Sequence, residues 1–230
     1  MKKHIPNFIT CLNLFSGSMA VYFGFQGEYD LVLILLLIAA VFDFADGLAA
    51  RVLKAYSPMG KELDSLADVI SFGLAPGVLV FSILSSSSLP FWLAFSGFIV
   101  PVFSALRLAK FNIDERQSDS FIGLPTPANA LFWSGISFSF TEYMIEYPLI
   151  TLGLAIVFSV LLVAEIPMFS LKFKNVKWKN NQIQYIFLLV SIVLIVVLGT
   201  KSLGLIIAWY IVFSVILNFL KKNKPSNVTN

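Results

Sequence analysis

Four carboxylates sit in parts of this chain that are otherwise apolar. Asp43 and Asp46 are spaced i,i+3, and Asp64 and Asp68 are spaced i,i+4. On a helix either spacing puts both members of a pair on one face. An ionised carboxylate at a bilayer centre costs up to about 2.5–3.5 kcal/mol, so such groups need partners or a water-filled cavity. Four packed together without counter-ions would repel strongly. Divalent cations resolve this, and all-oxygen ligation favours hard ions such as Mg²⁺ or Mn²⁺. Gly47, Ala50 and Gly60 leave room beside the acids for a bulky anion such as a pyrophosphate. Arg51, at the edge of the same face, is suited to hold that anion through forked, charge-assisted hydrogen bonds. Acids, cations, arginine and glycine at one depth point to phosphoryl-group chemistry on a lipid. Two ions about 3.5–4 Å apart suit in-line displacement at phosphorus. Two other readings stay open at this level. The acids could be solvated helix-end residues paired with Arg51, Lys54 and Lys61, or they could line the path of an ion- or proton-coupled transporter.

The elements that must position these residues follow from composition. The chain has 230 residues, of which 58% are hydrophobic and 13% charged, with mean hydropathy +0.86. A soluble domain carries about 25% charged residues, so a soluble globule, a disordered tail and a fibre are all excluded. The single cysteine, Cys11, excludes an intramolecular disulfide and a cysteine-rich zinc site. A bilayer-crossing helix needs about 20 apolar residues. Eight stretches qualify, at roughly 6–26, 30–53, 63–86, 90–112, 126–145, 148–170, 183–200 and 203–221. The expected fold is an all-α, polytopic membrane bundle of about eight transmembrane helices. It forms a single domain over 1–230, with a catalytic core over about 1–170 and additional helices over about 183–221. With that count, every one of the 16 Lys and Arg residues except Lys201 falls on the side of the two termini. The positive-inside rule then places both termini in the cytoplasm and the acids at the cytoplasmic face of a multi-pass cell-membrane protein. Lys2-Lys3 before an apolar run and small residues at 16–20 also has features of a cleaved signal peptide. The polar stripe Asn7, Thr10, Asn13 through that run favours a retained span.

The spacing Asp43-x2-Asp46-Gly47-x2-Ala50-Arg51-x8-Gly60-x3-Asp64-x3-Asp68 resembles the signature of the CDP-alcohol phosphatidyltransferase family. All eight fixed positions are present. The resemblance implies transfer of a phosphatidyl group from a CDP-linked lipid to an alcohol, with release of CMP. It implies two divalent cations, Mg²⁺ or Mn²⁺, held by Asp43, Asp46, Asp64 and Asp68, with Asp68 also the base for the acceptor hydroxyl. Gly47, Ala50, Arg51 and Gly60 would lie along the CDP-lipid. Asn7, Thr10 and Asn13 are similar to the family's N-terminal N-x2-T-x2-N element, which helps hold the nucleotide; from spacing alone, this stripe could equally be interhelical hydrogen bonding. The family also implies a homodimer.

The acceptor is suggested by a second set of residues. Ser71-Phe-Gly-Leu-Ala-Pro76, Arg107-Leu-Ala-Lys110-Phe-Asn112 and Gly123-Leu-Pro-Thr-Pro127 resemble the membrane-integral phosphatidylserine synthase branch, with Lys110 in place of the usual second arginine. That resemblance implies CDP-diacylglycerol and L-serine as substrates among the membrane lipids. The acceptor-binding candidates are Arg107, Lys110, Asn112 and Ser71. Glycerol 3-phosphate or inositol phosphate is the alternative acceptor, although Val69 stands where glycerol-phosphate branches commonly carry Lys. An arginine at the cytoplasmic end of span 4 suits a carboxylate; the plainer role for Arg107 and Lys110 is that of snorkelling anchors. His4 and Cys11 invite no chemistry. Glu165 is expected near the cytoplasmic end of span 6, paired with Lys172 or another lysine. The Lys172–Lys179 connector and the Lys221–Lys224 tail read as anionic-lipid contacts, and nucleic acid is not an expected partner.

Overall fold

The computed structural model describes residues 4–114, 121–169, 171 and 177–222. Most of the Lys172–Lys179 connector, Lys2, Lys3 and the last residues of the tail lie outside them. The fold is all-α, apart from a two-residue ladder.

Helix α1 (Ile5–Gln26) starts with Pro6 in its first turn, where a missing N–H costs nothing. It stops at Gly27, whose φ of 77° is left-handed. The Gly27 and Glu28 N–H groups close back onto the Gly24 and Phe23 carbonyls, which satisfies the helix end. Helix α2 (Tyr29–Val52) returns alongside it. Helix α3 (Pro58–Asp68) is opened by Ser57, whose hydroxyl accepts the Gly60 N–H at 3.0 Å, with Pro58 in the first turn. The rod then widens into a π-helical segment (Val69–Leu74) and resumes as α4 (Ala75–Ser85). Pro76, without an N–H, follows the wide turn immediately and breaks the regular i→i−4 ladder there.

A 3₁₀ stretch (Phe91–Phe98) leads into α5 (Ile99–Ile113). The strand pair β1 (Phe121–Ile122) and β2 (Pro167–Met168) is antiparallel, with Phe121 opposite Met168. Between them run α6 (Thr126–Glu146), kinked at Phe140, and α7 (Pro148–Val163). The chain ends in α8 (Gln182–Leu198) and α9 (Ser202–Lys222). Gly199 (φ 57°) and a 3₁₀ turn separate them. Phe187 and Tyr210 meet across the turn at 6.0 Å, so α8 and α9 form a hairpin.

Small residues let the rods touch. A Cβ on Gly17 would lie 2.5 Å from the Ser71 Cα, and one on Gly97 2.7 Å from the Gly77 carbonyl. This is how helices pack where lipid removes the hydrophobic drive between them. Trp133, Phe72, Leu36 and Leu79 fill the interior. Large apolar side chains such as Phe44, Leu149 and Val196 face outward, as lipid solvation allows.

Helical rods occupy all eight expected positions. Among the described residues, five stretches are long and apolar enough to cross a membrane: Ile5–Gln26, Tyr29–Val52, Pro58–Ser85, Phe91–Ile113 and Gln182–Leu220, the last being the hairpin. Two expectations need correcting. The sixth stretch ends at Val163 rather than near 170, because Ile166 to Met168 fold back to pair with the 121–124 segment. Glu165 is therefore outside the helix, with an exposed side chain, and its Oε1 meets Lys110 Nζ at 3.0 Å.

Candidate active site

Helices α2 and α3 bring three of the four acids together. Asp43, Asp64 and Asp68 each offer a carboxylate oxygen within 4.8 Å of the others. Asp43 and Asp64 are half-buried, and Asp68 is buried. Oxygen-only donors at this spacing fit a hard divalent cation, so the donor set is suited to the metal chemistry expected of it.

The fourth acid is turned to α1. Asp46 is buried and accepts a hydrogen bond from the Thr10 hydroxyl at 2.5 Å. The same hydroxyl lies 3.0 Å from the Pro6 carbonyl, its second possible acceptor. Asn13, one turn further along α1, aims Nδ2 at Asp68 Oδ1 from 3.4 Å. Thr10 and Asn13 thus hold one acid from each pair. Their polar stripe is both an interhelical tie and a wall of the site.

Beside the acids lies a cavity of ≈ 560 Å³. Its lining includes Asn7 and Thr10 from α1, Asp46, Gly47 and Ala50 from α2, and Gly60 and Asp64 from α3. A Cβ on Gly47 would meet nothing within 4 Å, so this glycine opens the wall. A Cβ on Gly60 would lie 3.1 Å from both Asn7 Oδ1 and Ser57 Oγ. Here close approach, not φ, asks for glycine. Tyr56, Ser57 and Lys61 also line the cavity; spacing had singled out neither of the first two, and Lys61 only as a partner for the acids. The Ser-Pro pair at 57–58 is a helix-start signal that could have drawn attention to the first of them. Arg51 is exposed and lies outside the lining.

The acceptor candidates separate in the same way. Ser71 donates to the Asn13 carbonyl at 3.1 Å, a bond that ties the π segment to α1. Asn112 donates to Ser65 Oγ at 2.8 Å, and its carbonyl accepts from Lys61 Nζ at 3.0 Å. Lys110 holds Glu165. Arg107 brings a charge into the interior. It is 6% exposed and donates from a terminal nitrogen to Thr126 Oγ1 at 3.2 Å. Its guanidinium lies 4.9 Å from the Phe111 ring centre and 5.8 Å from that of Phe121, a cation–π setting. Its charge and that of Asp68 interact. Thr126 and Phe121 were not foreseen, since neither lies near Arg107 in the chain.

The family model for CDP-alcohol phosphatidyltransferases matches residues 3–197. This chain belongs to the CDP-alcohol phosphatidyltransferase family. Its similarity to a Helicobacter pylori protein named CDP-diacylglycerol–serine O-phosphatidyltransferase is 31% identity over 218 residues, 92% of this chain and 89% of that one. A Bacillus subtilis protein of the same name is 34% identical over 143 residues, 62% of this chain and 80% of its own length. The archaetidylserine synthase of Methanothermobacter thermautotrophicus is 32% identical over 164 residues, 70% of this chain and 68% of that one.

For a CDP-alcohol phosphatidyltransferase the placement of the signature is informative. Its two acid pairs come from antiparallel rods whose turn is closed by the Ser57 cap. The matched region runs through α7 and nearly all of α8.

Proposed function

We propose that this membrane enzyme is a CDP-diacylglycerol–serine O-phosphatidyltransferase. The observation that carries the reading is the meeting of the Asp43–Asp64–Asp68 group with the cavity lined by Asn7, Thr10, Gly47, Ala50 and Gly60. The names of the relatives supply the acceptor class. The pyrophosphate of CDP-diacylglycerol enters the cavity where Gly47 and Gly60 leave space, with its acyl chains among the exposed apolar helix faces. Two divalent cations, Mg²⁺ or Mn²⁺, held by Asp43, Asp64 and Asp68 with Asp46 beside them, supply neutralisation of the pyrophosphate charge when bound.

Asn7 and Thr10 hold the nucleotide end. Arg51, exposed and outside the cavity lining, reaches the phosphates once the lipid is bound. Arg107 grips the serine carboxylate. Asp68 takes the proton of the serine hydroxyl. The freed oxygen bonds to the lipid-side phosphorus, the bond from that phosphorus to the bridging oxygen breaks, and CMP leaves with the electron pair. The open cavity faces the cytoplasm, where serine and CMP exchange, and the working unit in the cell membrane is a homodimer.

The test is CMP release from CDP-diacylglycerol in detergent, with and without L-serine and with and without Mn²⁺ or Mg²⁺. Serine- and metal-dependent release is the expected result. Release driven by glycerol 3-phosphate or inositol phosphate, and not by serine, would give the site to the other acceptor class.

A further inference from the structure

Arg107 does not stand alone in the interior. Asn129 lies one turn beyond Thr126 on α6, on the same face, and Thr126 is the residue that Arg107 bonds. Asn129 is 0% exposed, and neither its Nδ2 nor its Oδ1 has a hydrogen-bond partner among the described residues. The Arg107 Nε is likewise buried and unpartnered, and so is the hydroxyl of Ser104, one turn earlier on α5. Ser104 packs on Gly73, where a Cβ would lie 3.0 Å from the Ser104 Cβ. Gly73 belongs to the π segment that continues directly from Asp68. Three unsatisfied polar side chains thus stand along the Arg107–Thr126 bond between α5 and α6. Leaving a buried polar group unpaired costs about 1–3 kcal/mol. Side chains that bear this cost together, beside an arginine whose charge and that of Asp68 interact, are arranged for a polar ligand.

Resting on the serine reading above, we infer that Asn129 binds the ammonium group of the acceptor and sets the enzyme's preference for an amino acid over a simple hydroxy acid. A serine zwitterion presents three groups. Its hydroxyl goes to Asp68 and its carboxylate to Arg107. Its ammonium needs an uncharged acceptor, because another carboxylate here would compete for Arg107. The Asn129 Oδ1 is such an acceptor, with the Ser104 hydroxyl as a second. The Asn129 Nδ2 is left to donate to the serine carboxylate beside Arg107.

The experiment compares acceptors and one variant by CMP release from CDP-diacylglycerol. With the wild-type protein, 3-hydroxypropanoate keeps the hydroxyl and carboxylate of serine but lacks the ammonium. Its kcat/KM is expected to fall about a hundredfold or more below that of serine. In Asn129→Ala the KM for serine is expected to rise about tenfold, while the KM for CDP-diacylglycerol stays within about twofold. The gap between serine and 3-hydroxypropanoate narrows. A serine KM that does not move, or both KM values rising together, overturns the assignment, as does a wild-type protein that uses 3-hydroxypropanoate as well as serine. This last arm holds even if the variant fails to fold. No serine-dependent release by the wild type would instead bring down the serine reading itself, which separates the two failures.

Discussion

The α1–α4 half and the α8–α9 hairpin use their buried serines and threonines in opposite ways. In the first, hydroxyls and amides reach across to other elements. Thr10 bonds Asp46, Asn13 approaches Asp68, Ser16 donates to the Leu35 carbonyl at 2.9 Å, and Ser71 donates to the Asn13 carbonyl. In the hairpin, Ser191, Ser202 and Ser214 each donate to a carbonyl three or four residues back in their own segment. In the hairpin α8 turns most of its apolar side chains outward, and α9 packs on α6, where a Cβ on Gly204 would lie 3.0 Å from the Ile136 N. The other half must hold acids at fixed separations, and apolar packing alone does not set separation. Interhelical hydrogen bonds and glycine contacts do. Substitutions should therefore bear heavily on one half and lightly on the other.

The largest effect is expected at Asp68. Asp68→Asn keeps shape and loses the base. Serine-dependent CMP release should fall by about 10²–10⁴-fold in kcat, while the thermal midpoint in detergent shows the protein still folded. Turnover near the wild-type rate would break the contrast at its most demanding point, because it would leave the acid group without a chemical task.

Next is the backbone contact that frames the acids. Gly17→Ala places a Cβ against the Ser71 Cα and Oγ, and a main-chain neighbour cannot rotate away. A loss of about 1–3 kcal/mol is expected for this overpacking, read as a lower thermal midpoint. Activity should fall further than stability, since the π segment being pushed continues directly from Asp68. Gly153→Ala is the control, because a Cβ there meets nothing within 4 Å.

These differences also explain what could be read ahead of the structure. The rods were legible because lipid demands long apolar runs. The Asp43–Asp64–Asp68 group was legible because i,i+3 and i,i+4 spacing carries its own geometry. Local spacing does not say which neighbour a side chain will choose. Asp46 takes the Thr10 hydroxyl of α1 as a partner. Lys110 found Glu165, 55 residues away. Arg107 found Thr126 and Phe121 across a connector. Arg51 fits the motif, yet it stands outside the cavity lining. The shortening of α7 depends on pairing between β1 and β2, which no hydropathy pattern announces. Asn129 illustrates the limit best. In sequence it is one amide in a helix, and only its burial next to the partner of Arg107 gives it meaning.

The smallest expected effect is the sharpest test of the contrast, because it compares two hydroxyls of equal chemistry. Ser71→Ala removes a bond between α1 and the π segment; Ser214→Ala removes one from Ser214 to the Tyr210 carbonyl in its own helix. Both residues are buried, so burial alone predicts equal costs. The direction of the bond predicts otherwise. At Ser71 the lost bond is a cross-tie worth about 0.5–1.5 kcal/mol, and its loss lets the segment after Asp68 shift. At Ser214 the Tyr210 carbonyl keeps its own helical hydrogen bond, so the cost stays within about 0.5 kcal/mol. Thermal midpoints and serine-dependent kcat of the two variants, measured side by side, decide the matter. A lower kcat in Ser71→Ala alone means that cross-ties hold the acids in place. Equal behaviour means that the acids are held by the helix backbones, and that the polar side chains of α1 and the π segment are no more than buried hydroxyls and amides like those of the hairpin.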